Sequence, residues 1–150
     1  MADEYFTSPV TYEAPHQLFE PWEPNITIDP KAAKWSDLVK PGTPLPTPWP
    51  KAEYQGWGKE TQEHVKQLRA QHVPEPEIRA YRDSRGKAFV AWWDKVPYRQ
   101  SVGAFEGANY QAAGYYRPQL DCVMGDAFNL EFCAVCRRAI ERVIDLYAKP

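Results

Sequence analysis

The chain has 150 residues and a formal net charge of -2, a length that suits one domain burying roughly two-thirds of its unfolded surface. No basic stripe is present to neutralise phosphates, so nucleic-acid binding is excluded as an expectation. No apolar run approaches the roughly 18 residues of a bilayer span, and the opening residues lack the charged and apolar regions of a signal peptide.

Residues 1–50 are dominated by proline: ten of the chain's 15 prolines lie between Pro9 and Pro50. Each fixes its own φ and biases the preceding residue toward extended geometry, so long regular elements are not expected. Tyr12, Leu18, Phe19, Trp22, Trp35, Leu38, Val39 and Trp49 recur through the same stretch, unlike a disordered tail. The expectation is ordered coil lying against a core.

Residues 51–100 are more polar. Val65 and Leu68 stand three apart among charges, which predicts a short exposed helix over Glu60 to His72 that stops before Pro74. From Glu77 onward, Ile78, Tyr81, Phe89, Trp92, Trp93 and Val96 fit either a helix interrupted near Gly86 or a helix followed by a strand. Trp49, Trp57 and Trp93 are candidates for exposed aromatics on a binding surface.

Residues 101–150 hold the clearest element. Phe132, Cys133, Cys136, Ala139, Ile140, Val143, Ile144 and Tyr147 repeat at spacings of three and four, with Arg137, Arg138, Glu141, Arg142 and Asp145 opposite. An amphipathic helix is predicted, with Asp126 or Asn129 as its cap and Arg142 suited to a late turn. Full burial of each large apolar residue would contribute about 1.5–3 kcal/mol, so docking of this face is expected to dominate locally.

Cys122, Cys133 and Cys136 admit three readings. They are small core residues, with a disulfide from one of the helical pair to Cys122 left open. They are ligands of a structural zinc, which needs a fourth donor, and the histidines are His16, His64 and His72. They are a redox pair, disfavoured because Leu130 and Phe132 read as already helical. His64 and His72 would lie about 12 Å apart along one helix, too far to share a metal, and read as solvated. Glu106, among Gly103, Ala104, Phe105, Gly107 and Ala108, reads as a structural acid. No HExxH, Gly-rich phosphate loop or Ser-His-Asp order occurs.

Several stretches carry a resemblance. Met1-Ala2-Asp3-Glu4-Tyr5 resembles the closing half of the metal signature of IgA-specific-type zinc metallopeptidases, where a helical HExxH is followed by Gly-x-Ala-Asp-Glu-Tyr. Glu20 to Thr27, Trp35, Gly42 to Pro48, Gly103 to Ala108, Tyr116 to Pro118, Cys122 to Met124 and Phe132 to Cys136 are similar to successive motifs of the same family. The resemblance covers about residues 1–48 and 101–147, while residues 51–100 read as a variable insertion.

The resemblance implies an α+β fold, the C-terminal part of a metzincin-like peptidase domain that is mostly helix and proline-rich coil in this chain. It implies a zinc cofactor held by two histidines of an HExxH helix outside this chain and by Asp3, with Glu4 the alternative. Met124 would form the methionine turn beneath the metal, and Tyr116 or Tyr115 would hydrogen-bond the oxyanion. The expected substrate is a protein or peptide, and the parent enzyme is expected outside the cell or at its surface. The expected state of the chain alone is inactive, since one carboxylate cannot hold a catalytic zinc. The alternative is a non-catalytic protein- or surface-binding module on that scaffold, and a small redox or structural-zinc protein comes third.

Overall fold

The computed structural model describes residues 18–125 and 131–148. Asp3, Glu4, His16 and the candidate caps Asp126 and Asn129 lie outside the described residues. The described architecture is α+β, with helices α1 (Lys51–Ala70), α2 (Glu75–Trp93) and α3 (Ala134–Ala148), and strands β1 (Phe105–Ala108) and β2 (Gln111–Arg117). The chain divides into two units, one joining the stretch up to Trp49 with that from Tyr98, the other Pro50–Pro97.

In the first unit, residues 18–49 hold only a three-residue 3-10 turn, Ser36–Leu38. Prolines remove backbone donors, and side chains take over the work of ordering this coil. Lys34 Nζ donates to the carbonyls of Pro21, Glu23 and Ile26 and pairs with Glu20 at 2.9 Å. Glu20 in turn accepts the Ile28 N–H at 2.8 Å. Burial alone would raise the Glu20 pKa, but the Ile28 N–H, Lys34 and Thr27 outweigh it and hold the carboxyl below its ordinary range. Asp29 Oδ1 accepts the N–H groups of Lys31 and Ala32, the local turn that Asp favours.

β1 and β2 form an antiparallel hairpin pairing Phe105 with Arg117 and Glu106 with Tyr116. Its two-residue turn, Asn109-Tyr110, has φ of 52 and 59, the left-handed pair that matches strand twist. Thr27 bridges the other edge of β2 by exchanging both backbone hydrogen bonds with Tyr116 at 3.1 and 2.8 Å. Trp35 is fully buried, and its indole N–H donates to Gly103 O at 2.6 Å. It packs in one cluster with Ala33, Cys122, Cys133, Val135 and Cys136.

α3 departs from expectation in two ways. It begins at Ala134, so Phe132 precedes the helix instead of lying within it. Only Val135 and Cys136 are buried, whereas Ile140, Val143, Ile144 and Tyr147 are 40%, 56%, 57% and 84% exposed. Periodicity specifies a helix and its apolar face, but the core cluster meets that face only at its first turn.

The second unit is a helical hairpin. α1 starts at Lys51, a full nine residues before the predicted Glu60, and α2 runs unbroken through Gly86. A mid-helix glycine costs only about 1 kcal/mol, which aromatic packing offsets. Tyr54 and Trp57 of α1 meet Phe89, Trp92 and Trp93 of α2 with centroids 5.0 to 5.9 Å apart. Trp93 is buried and Trp57 half-buried, as is Trp49 in the first unit, so these are not the exposed aromatics expected. α1 ends at Ala70 with Gln71 as its C-cap, and the chain turns at His72, whose φ is 59. Val73 N–H bonds to Leu68 O and His72 N–H to Arg69 O, each at 3.0 Å, a left-handed helix stop that satisfies two terminal carbonyls. His64 packs against Tyr81 with ring centroids 4.4 Å apart and the planes tilted by 42°.

Candidate metal centre

Pro118 ends the hairpin because it cannot extend the ladder, and the chain then turns through Cys122–Gly125, closed by Gly125 N–H to Cys122 O at 2.9 Å. Val123 N–H bonds to Glu131 O at 2.9 Å, bringing the start of α3 beside the turn. Arg99 pairs with Asp121 at 2.6 Å just before it. At the helix start, Cys133 is the last residue before α3, and its carbonyl accepts the Arg137 N–H at 2.9 Å. The Gln119 side chain accepts the Ala134 N–H at 2.8 Å, and Cys133 Sγ lies 3.5 Å from Cys136 N. Together these satisfy first-turn donors that otherwise have no intrahelical partner.

The result is a cluster of three buried thiols. The sulfurs of Cys122, Cys133 and Cys136 all lie within 4.8 Å of one another, with Cys122 and Cys136 at 3.8 Å. Cys133 N–H also points at Cys122 Sγ, at 3.3 Å. The Cys122 thiol is held far below its ordinary pKa, chiefly by hydrogen bonds from the Cys133 and Cys136 thiols. Those two are correspondingly raised, with Cys122 the first cause for each.

Met124 occupies the turn beside the cluster and is 60% exposed. Arg117 lies over the Trp49 ring at 5.2 Å, and its Nη1 would sit 3.3 Å from a Cβ placed on Gly125. Arg117, Gln119, Cys122, Met124 and Cys133 help line a cavity of about 50 Å³. Tyr116 is half-buried, does not line this cavity, and has its pKa raised by burial and by the Glu106 carboxylate. Glu106 accepts the Gly114 N–H at 3.3 Å. Arg117 enters the sequence reading only as part of the Tyr116–Pro118 motif and Gln119 not at all, since neither spacing nor residue type marks a side chain that caps or borders a distant turn.

A peptidase zinc of the HExxH type takes histidine and carboxylate donors and keeps one position open. Among the described residues the only group able to surround an ion is the three thiols, and that donor set does not fit such a site. Asp3 lies outside the described residues.

No curated protein matches this chain. A model of the IgA Peptidase M64 family matches residues 1–144. The motifs that frame the hairpin, the Cys122–Gly125 turn and the cysteine-bearing helix start all fall inside that span, and the chain belongs to the IgA Peptidase M64 family, a metallopeptidase scaffold.

Proposed function

We propose that this chain is the C-terminal portion of a zinc-dependent endopeptidase that hydrolyses peptide bonds in protein substrates outside the cell or at its surface. The observation that carries the reading is a family match over residues 1–144 in a sequence without HExxH. In the complete enzyme a bound zinc would supply an activated water at neutral pH. Asp3 is the proposed carboxylate ligand. Met124 is the proposed residue beneath the metal, and its 60% exposure in a turn otherwise tied down by hydrogen bonds supports a surface awaiting further protein. Tyr116 is the proposed oxyanion donor: its raised pKa keeps the phenol protonated, the form that can donate.

The test is the coding sequence upstream of Met1, read in the same frame, followed by a protease assay on any extended product. An open frame encoding HExxH a few residues before Met1, with chelator-sensitive proteolysis by the product, is the expected result. An in-frame stop close to Met1 would overturn it in favour of a non-catalytic binding module.

A further inference from the structure

The three thiols are more than small core residues, because their arrangement has the dimensions of a coordination shell. Zinc binds thiolate at about 2.3 Å with tetrahedral geometry, which places neighbouring sulfurs about 3.8 Å apart. Cys122 and Cys136 stand at 3.8 Å, and all three sulfurs fall within 4.8 Å. A disulfide would need about 2.05 Å and would leave one thiol unpaired. We propose that Cys122, Cys133 and Cys136 form a structural three-thiolate zinc site, separate from any hydrolytic metal, that ties the turn after β2 to the start of α3.

Three further observations support the site. Backbone N–H groups of Cys133 and Cys136 are aimed at the sulfurs of Cys122 and Cys133 at 3.3 and 3.5 Å, and such donors stabilise anionic sulfur. Cys133 and Cys136 stand at the N-terminal end of a 15-residue helix, where the dipole favours the single net negative charge of three thiolates on a divalent ion. Two of the thiols line a cavity of about 50 Å³, large enough for a water as fourth ligand. Thiolate ligands select zinc over magnesium or calcium.

Loading is balanced as three thiols plus one zinc ion giving the three-thiolate complex and three released protons. The segments it would join are otherwise held by the Val123–Glu131 and Gln119–Ala134 hydrogen bonds and by a small cluster of Ala33, Trp35 and Val135, with Leu38, Val39 and Val102 packed against it. A cross-link here would hold the Cys122 turn, and with it Met124, at a fixed distance from α3.

The experiment uses the whole chain, purified without chelator. Metal content by mass spectrometry is expected to be one zinc per chain, released when all three thiols are alkylated. Exchange with cobalt is expected to give the intense near-ultraviolet band of sulfur-to-cobalt charge transfer, which a site built from histidine and carboxylate does not produce. Cys136→Ser is expected to lose the band and the bound metal, whereas Asp3→Asn keeps both. Should Cys136→Ser fail to fold, the cobalt spectrum of the unsubstituted chain decides alone. Metal-free protein with three titratable thiols, or a mapped Cys122–Cys136 disulfide, would overturn the proposal. None of these readouts depends on proteolysis, so the peptidase reading can fail while this site stands.

Discussion

Thr47 is a small polar residue, only 3% exposed, yet its three hydrogen bonds fix the stretch that leads into the hairpin. Its N–H donates to Ala104 O at 2.8 Å, its hydroxyl donates to Pro44 O at 2.8 Å, and the same oxygen accepts the Ala104 N–H at 2.9 Å. This closeness requires Gly103 opposite, since a Cβ there would fall well inside 3.0 Å of the Thr47 hydroxyl. Gly103 also presents the carbonyl that holds the Trp35 indole. Gly103→Ala is therefore expected to cost about 1–3 kcal/mol through forced backbone displacement, read as a lower urea midpoint at unchanged m. A midpoint equal to the parent's would show that this approach is looser than described. The sequence offers Gly103 only as one glycine in a small-residue run. Its reason lies far back along the chain in Thr47, whose bond to Ala104 across 57 positions no local pattern encodes.

At the scale of elements, α3 separates helix formation from helix docking. Its period of three and four was legible because amphipathic spacing is a local property. Which part of the apolar face meets a partner is a tertiary matter, and only the first turn does so. Arg138 reinforces that end, bonding Asp37 and the Lys34 carbonyl. Val135→Ala, at a site 2% exposed, is expected to destabilise by roughly 1–3 kcal/mol. Ile144→Ser, at a site 57% exposed, is expected to stay within about 0.5 kcal/mol of the parent. Paired chemical melts check this contrast, and equal losses at the two positions would mean that the distal face is covered in solution. The helical hairpin teaches the complementary lesson. Its boundaries were misread because mean polarity hid Tyr54 and Trp57, whose partners Phe89, Trp92 and Trp93 lie more than thirty positions downstream.

For the whole molecule, the decisive fact is chemical inventory. Catalytic zinc sites take three protein ligands and keep one position open, and this chain has three histidines in all, none within an HExxH. His64 packs against Tyr81 and His72 turns the chain just after α1, so both serve the hairpin. The chain by itself is expected to show no chelator-sensitive hydrolysis of a protein substrate such as casein, even with zinc in excess. Cleavage by the pure chain that a chelator abolishes would contradict this. No described helix is long and apolar enough to cross a membrane.

The sequence by itself determined the family, the α+β class, the proline-rich coil and the existence of α3, because these rest on ordered motifs, local backbone restriction and short-range periodicity. Only the tertiary structure decided that Cys122 meets Cys133 and Cys136, that Trp35 and Thr47 both lock onto the Gly103-Ala104 backbone, and that α3 buries one turn of its apolar face. Each of these is a long-range contact, chosen by which surfaces can pack and which buried donors must find acceptors.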